Sequence, residues 1–239
     1  MSIVLRSFGL RCLLLSLFAV SSFATGGENK SLLNALKQAA PSLSPEVLQH
    51  ALGAMQCAVN NGSAPAQRLA VIDYSLPSTA RRLWVFDLTQ RRLVLSDWVA
   101  HGRHSGENFA TTFSNTEGSF QSSLGLFRTA ESYSGKHGYS LRMDGLEPGV
   151  NDRARERAIV IHGASYVRPS FAQEQGRIGR SLGCPAVRPE VARMVVDKLK
   201  GGQFMFAWYP DQQWLRSSAY LNCQPQRVSR ILASRDDIR

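Results

Sequence analysis

The sequence is poor in cysteine and in acidic residues, and both shortages exclude classes of protein. Only 4 of 239 residues are cysteine, which is too few for a small domain built on disulfides. No two cysteines form a CxxC pair, so their spacing does not indicate a zinc site. With 44% hydrophobic and 19% charged residues, the composition also excludes a disordered or collagen-like chain. One globular domain, with at most a small appendage, is expected.

The shortage of acidic residues leaves an excess of positive charge. Asp and Glu number 18 against 28 Lys and Arg, a formal net charge of +10. Such a charge suits a partner that is nucleic acid, an anionic lipid surface or an acidic polymer. Charge alone leaves these three classes open.

The N-terminus lacks a hydrophobic run long enough for a membrane span. Arg6 and Arg11 precede an apolar stretch over 12–20, about ten residues where a span needs roughly 20, and small residues follow up to Ala24. This order predicts a secretory signal peptide over 1–24, with no stable membrane insertion after cleavage. Its removal leaves a charge of +8 (10 − 2), and we expect an exported protein of the periplasm or envelope that does not bind nucleic acid.

Hydrophobic periodicity predicts a mostly β (α+β) fold. Helical patterns cover 30–40 and 44–60, and a further helix begins near Pro189. The strand-like segments are 68–75, 81–89, 91–102, 125–130, 138–145, 157–163 and 203–210. The predicted architecture is a largely antiparallel β-sandwich or barrel-like domain over 66–223, with an N-terminal helical segment over 25–65 and a polar tail over 224–239.

Two long loops rich in small or polar residues interrupt this pattern, over 101–122 and 163–183. Loops of such length inside a compact domain are often functional. The histidines in the loops and turns have no ligand-like spacing, so neither a metal nor a cofactor is expected. These histidines are His101, His104 and His137.

The candidate chemistry lies between residues 159 and 188. His162 ends an apolar strand, and Cys184 lies in a turn of small residues with Arg180 four residues before it and Arg188 four after. A cysteine becomes a useful nucleophile when a base or a positive charge favours its thiolate. Gly183 leaves the backbone open, so nearby amide groups can point at an oxyanion. The alternative is a buried structural thiol and an unrelated core histidine.

The segments IVIHG and SLGC, separated by a loop and followed by an arginine, resemble the catalytic core of the L,D-transpeptidases (the YkuD-type domain), which remodel peptidoglycan. The resemblance runs from about Arg68 to Pro210 and includes SSLGLF at 122–127. HGRHSG, FSN and GKHGYSLRMDGLEPGVNDRA resemble in particular a proteobacterial branch of the family.

Two departures from the commoner family pattern affect the acceptor side of the site. Eighteen residues separate His162 from Ser181, where 14 to 17 are usual, and Leu182 occupies the position of a second histidine. The family arginine usually follows the cysteine by two positions, whereas Arg188 follows by four. The nucleophile and the base are unaffected.

The resemblance implies a cysteine-dependent acyl transfer with no cofactor. Cys184 would attack a carbonyl of a peptidoglycan stem peptide, and His162 would act as the base, with its ring held by the carbonyl of Gly163. The implied supporting roles are oxyanion binding at Gly183 and Cys184, orientation of the turn by Ser181, and stem-peptide binding by Arg188, Arg180 and Tyr139. Water or a free D-amino acid as acceptor would instead make a carboxypeptidase or an exchange enzyme, and a peptidoglycan-binding protein without activity is the third possibility.

Signal cleavage leaves three cysteines, and by number alone any two could pair. If Cys184 must stay reduced to act, Cys57 and Cys223 remain to form a disulfide that ties the helical segment to the end of the domain. We expect the mature protein to be a monomer.

Overall fold

The computed structural model describes residues 25–223, with side chains from residue 30 onward. The predicted signal peptide (1–24) and polar tail (224–239) lie outside the described residues. None of the described helices has the length and hydropathy that crossing a bilayer requires.

Nine strands form one mixed sheet that curves into a nearly closed, barrel-like structure. They are β1 (Arg68–Asp73), β2 (Leu83–Asp87), β3 (Arg92–Asp97), β4 (Val99–Ala100), β5 (Gly125–Gly135), β6 (Gly138–Gly145), β7 (Val160–Gly163), β8 (Ala186–Val187) and β9 (Phe204–Trp208). Their order is β3-β2-β1-β9-β5-β6-β7-β8-β4, parallel at β1–β9 and β7–β8 and antiparallel elsewhere. The predicted mostly β fold is confirmed.

Five helices accompany the sheet in the described chain: α1 (Thr25–Ala39), α2 (Pro45–Asn60), α3 (Pro169–Gln175), α4 (Pro189–Leu199) and α5 (Gln212–Ser217). Sequence periodicity predicts α1, α2 and α4, and Pro45 and Pro189 each begin a helix as expected. It misses α3, inside the predicted loop 163–183, because none of the seven residues of α3 is buried and no apolar stripe marks it.

Helices cover both faces of β2, and this explains why all of its side chains are buried. Trp84 is fully buried and its indole nitrogen donates to Ser42, between α1 and α2, at 3.2 Å. Val85, on the alternate face, lines a small cavity together with Val195 of α4. The side of β2 that carries Trp84 and Phe86 is therefore one of two sides of the strand that face the core.

The N-terminal helical segment is part of the hydrophobic core. α2 buries Leu48, Ala51 and Met55 in the same cluster as the sheet. Cys57, on α2, is joined to Cys223 by a disulfide that links positions 166 residues apart, with the two Cα atoms at 5.9 Å. The helical segment and the C-terminal end of the described chain are thereby linked covalently. The domain boundaries at 66 and 223 stay predictions.

Candidate active site

Parallel pairing of β7 with β8 brings His162, on β7, next to the turn before β8, where Cys184 lies. His162 pairs with Ala186, and Cys184 precedes Ala186 by two residues. The backbone NH of Val160, two residues before His162, lies 3.4 Å from Cys184 Sγ. A single strand therefore carries the histidine and also contacts the sulfur.

The thiol of Cys184 is half-buried and is the free cysteine of the described chain. Its Sγ accepts from Val160 NH and lies 3.6 Å from the carbonyl oxygen of Ala158, to which the protonated thiol donates. Burial raises the pKa of Cys184, while the Val160 hydrogen bond and the charge of Arg157 lower it. Burial is the largest of these effects, so the resting group is the neutral thiol.

The turn before the cysteine is held by the hydroxyl of Ser181. This Oγ donates to the Cys184 carbonyl oxygen at 2.6 Å and accepts from the Gly183 NH at 3.1 Å. Because the Gly183 NH already has this partner, the Cys184 NH is the amide left for a ligand: it makes no hydrogen bond within residues 25–223.

Gly183 could not be replaced by a larger residue without disturbing this turn. Its φ of +122° lies in the region that favours glycine, and an added Cβ would lie 2.8 Å from the carbonyl oxygen of Gln121. The Gly183 carbonyl oxygen accepts from Ser122 Oγ at 3.2 Å. The loop 101–122 thus packs directly on the turn before Cys184.

A network of buried polar groups supports the turn before Cys184. The Ser181 NH donates to the His101 carbonyl oxygen, and the fully buried His101 ring accepts at Nδ1 from Arg82. The other ring nitrogen therefore donates to the Gly106 carbonyl oxygen, at 3.2 Å. Burial, followed by the positive charge of Arg82, lowers the pKa of His101 to about 3. His101 is thus a neutral structural residue.

His162 has the tautomer that a general base needs. It is 3% exposed, and its Nδ1 lies 3.0 Å from the Gly163 carbonyl oxygen, which can only accept a hydrogen bond. The proton is therefore on Nδ1 and the lone pair is on Nε2. Burial lowers the pKa of His162, the Gly163 hydrogen bond opposes this, and His137 adds a smaller lowering. The ring is neutral near pH 7, and no hydrogen bond joins it to Cys184 within the described chain.

His137 is a neighbour of His162 that the sequence does not predict. It lies in the turn between β5 and β6, and its exposed ring stacks on that of His162 with centroids 4.5 Å apart. The two residues are 25 positions apart, so neither periodicity nor spacing indicates that they are neighbours. The described residues contain no group of three or more His, Cys, Asp or Glu side chains that could hold a metal ion.

The two arginines expected to bind substrate both have carboxylate partners in the chain. Arg180 contacts Glu107 at 2.7 Å, and Arg188 makes two hydrogen bonds, at 2.8 and 2.6 Å, to the buried Asp97. A substrate carboxylate would have to compete for either guanidinium. Their roles in substrate binding stay predictions.

Tyr139, the third residue expected to bind substrate, is bonded to α4. Its hydroxyl donates to Asp197 at 2.8 Å and accepts from Lys200 at 3.3 Å, and Arg193 lies over its ring. No described contact joins it to His162 or Cys184. In the structure, Tyr139 ties β6 to α4.

Several solved structures are similar to this chain. The chain is similar to an L,D-transpeptidase from Mycobacterium smegmatis (15% identity, TM-score 0.37) over 60% of this chain and 59% of that one. It is similar to an L,D-transpeptidase from Mycobacterium tuberculosis H37Rv (14%, TM-score 0.36) over 60% and 58%. It is also similar to one from Stackebrandtia nassauensis (10%, TM-score 0.37) over 79% and 92%. The chain thus spans less than two thirds of the length of the two mycobacterial structures.

A family profile, rather than any single relative, identifies the family of this chain. Comparison with curated proteins gave no significant match. A family profile described as the L,D-transpeptidase catalytic domain matches residues 39–208, which is more than half of the chain and includes α2, all nine strands and the Cys184 turn. The chain therefore belongs to the L,D-transpeptidase catalytic-domain family.

Proposed function

We propose that this protein is a peptidoglycan L,D-transpeptidase in which Cys184 is the nucleophile and His162 the general base. The observation that carries the proposal is the hydrogen bond from His162 Nδ1 to the Gly163 carbonyl oxygen, on a strand whose Val160 NH contacts the Cys184 sulfur. It leaves the Nε2 lone pair free on a residue of β7 that pairs with Ala186, two positions after Cys184. A buried structural histidine would have no need of that free nitrogen.

The reaction begins with a movement of the thiol. Cys184 rotates from the Ala158 carbonyl oxygen towards His162 Nε2 and gives up its proton there. The thiolate then attacks the carbonyl carbon of the third residue of a stem peptide, meso-diaminopimelate or a similar residue. The Cys184 NH donates to the resulting oxyanion, and the Gly183 NH can join it only by leaving Ser181.

Collapse of this intermediate releases the terminal D-amino acid. The C–N bond breaks, the departing amine takes the proton from His162, and a thioester remains on Cys184. The amine of a second stem peptide attacks the thioester and gives its proton to His162, and the thiolate leaves. The product is a cross-linked dimer.

The signal peptide, the periplasmic location and a monomeric state belong to the same proposal. Peptidoglycan is an extracytoplasmic polymer, and its free carboxylates suit the excess of positive charge on the mature chain. The disulfide between Cys57 and Cys223 is consistent with an oxidising compartment.

The mature protein and a Cys184→Ala variant, incubated with purified sacculi and tetrapeptide muropeptides, test the reaction type. Mass spectrometry should detect cross-linked dimers only with the unmodified protein. Trimmed monomers would instead establish a carboxypeptidase, and products identical to those of the variant would leave only a binding protein. Fragmentation of the dimer identifies the acceptor residue. The sequence leaves this residue open, because Leu182 occupies the position of the family's second histidine and the loop between His162 and Ser181 is longer than usual.

A further inference from the structure

Arg157 is a half-buried arginine with no carboxylate partner within residues 25–223. Its guanidinium instead donates to neutral oxygens, at 2.6 Å to the Ser114 carbonyl and at 2.7 Å to the Gln121 carbonyl. The hydroxyls of Ser123 and Ser119 are its other two partners. Four neutral acceptors fix the position of the guanidinium but leave its charge uncompensated.

The backbone of Arg157 leads directly to the residues that contact the nucleophile. Arg157 begins the segment that contacts the sulfur: the Ala158 carbonyl lies 3.6 Å from Cys184 Sγ and the Val160 NH 3.4 Å from it. Ala158 has a φ of +53°, a backbone conformation that few residues other than glycine adopt. Such strain is commonly retained where the geometry serves a function.

A second set of contacts leads from Arg157 to the same cysteine. The Gln121 carbonyl that accepts from Arg157 also packs on Gly183, and the adjacent Ser122 donates to the Gly183 carbonyl. The guanidinium therefore holds the loop that lies against the turn before Cys184. Arg157 is placed next to the nucleophile both through its own strand segment and through this loop.

An uncompensated cation next to a thiol favours the thiolate, because ionisation supplies the missing negative charge. The positive charge of Arg157 lowers the pKa of Cys184, against the larger effect of burial, which raises it. Arg180 and Arg188 are less suited to this role, since Glu107 and Asp97 already compensate their charges.

We propose that Arg157 is a positioning residue whose fixed positive charge stabilises the thiolate of Cys184. The inference rests on the proposed role of Cys184 as the nucleophile. It assigns to Arg157 the electrostatic function that sequence reasoning gave to Arg180 and Arg188.

The test measures the rate at which iodoacetamide alkylates Cys184, as a function of pH, in the mature protein. Arg157→Lys keeps the charge and loses the forked hydrogen bonding, whereas Arg157→Gln loses the charge. We expect Arg157→Gln to raise the midpoint of the profile by about one pH unit, and to slow alkylation at pH 7 about tenfold. Arg157→Lys should keep the midpoint of the unmodified protein. Equal midpoints for the Lys and Gln variants would overturn the proposal.

Arg153→Gln is the matched control, because Arg153 is close in sequence and half-buried like Arg157, but its charge is paired with Glu156. It should leave the midpoint unchanged. If the variants do not fold, a second measurement on the unmodified protein still tests the proposal. The rate with anionic iodoacetate, relative to neutral iodoacetamide, should be higher in the folded protein than for the same thiol in denaturant. An equal or lower ratio would contradict the proposal.

These measurements need no transpeptidase activity, so the two proposals can fail separately. If no dimers form with muropeptides but the alkylation midpoint follows the charge at position 157, the proposed function fails and the inference on Arg157 stands. If dimers form but the alkylation midpoint does not depend on the charge at position 157, the proposed function stands and the inference on Arg157 fails.

Discussion

At the scale of single residues, the candidate site depends on a few groups with restricted freedom. His162 is limited to one tautomer by the Gly163 carbonyl, and the Ser181 hydroxyl holds the turn before Cys184. Neither interaction involves a charge on the protein. Both therefore persist across the pH range in which a neutral imidazole can accept a proton.

Gly183→Ala tests the packing of the turn. The new Cβ would approach the Gln121 carbonyl oxygen, so the turn must move away from the loop. We expect about a 100-fold loss of transpeptidase activity and ~2 kcal/mol lower stability, measured by muropeptide turnover and urea unfolding. Gly62→Ala is the control: it also has a positive φ, +97°, but no atom lies within 4 Å of an added Cβ. Equal activity losses in the two variants would contradict this account.

The buried His101 makes the fold sensitive to acid. Its pKa, about 3 in the folded protein, is below the ordinary value of 6.5, so the unfolded chain binds the proton first as pH falls. This contribution to stability is complete above pH 6.5 and declines between pH 6.5 and 3. As the pH falls from 7 to 5, this contribution to the free energy of unfolding decreases by about 2 kcal/mol.

Urea unfolding at pH 7 and pH 5 measures this effect. His101→Asn keeps an acceptor for Arg82 but cannot be protonated, so the difference in stability between the two pH values should shrink by about 2 kcal/mol. An unchanged difference would show that His101 is not the group responsible.

At the scale of secondary-structure elements, the β5–β6 hairpin supplies a contact to the base. Tyr139 fixes one side of the hairpin to Asp197 of α4, and the ring of His137 stacks on His162. The positive charge of His137 is one of the causes that lower the pKa of His162, after burial.

His137→Ala should therefore raise the pKa of His162, because both the neighbouring charge and part of the cover are removed. We expect the midpoint of an NMR titration of the His162 ring to move to higher pH, and the acid limb of kcat/KM to move in the same direction. His137→Phe keeps an aromatic ring without its charge, and should give a smaller shift. Lys136→Ala, in the same turn, should leave the titration of His162 unchanged. If it shifts the titration as much as His137→Ala does, the effect comes from loss of any positive charge in the turn and not from the stacked ring.

Local patterns predict the long elements, but not the partners of charged side chains. The strand ending at His162 is marked by its apolar run, and α4 by Pro189 and its amphipathic pattern. Arg188 and Asp97, however, are 91 residues apart, and Arg180 and Glu107 are 73 apart. Only the folded chain brings such pairs together, so the sequence could not show that the arginines nearest to Cys184 already have carboxylate partners.

At the scale of the whole molecule, one covalent link joins the N-terminal helices to the end of the domain. The disulfide between Cys57 and Cys223 closes a loop of 166 residues, which restricts the unfolded chain much more than the folded one. The sequence could reduce the possible pairings only by assuming that Cys184 stays reduced.

A Cys57→Ser, Cys223→Ser double variant should unfold with a free energy lower by about 2 to 4 kcal/mol, measured in urea. Its activity should be unchanged at temperatures where it is folded, because Cys184 is not part of the bridge. A mild reductant should destabilise the unmodified protein and leave the double variant unaffected. Equal stability of the two proteins without reductant would contradict the prediction.

The most direct test of the central claim is the intact mass of the protein after brief incubation with a tetrapeptide stem. We predict a covalent adduct equal to the stem peptide without its terminal D-amino acid. It should map to Cys184, be absent in Cys184→Ala and form much more slowly in His162→Ala. A protein that shows no adduct, or an adduct that persists in Cys184→Ala, would contradict the assignment of Cys184 as the nucleophile.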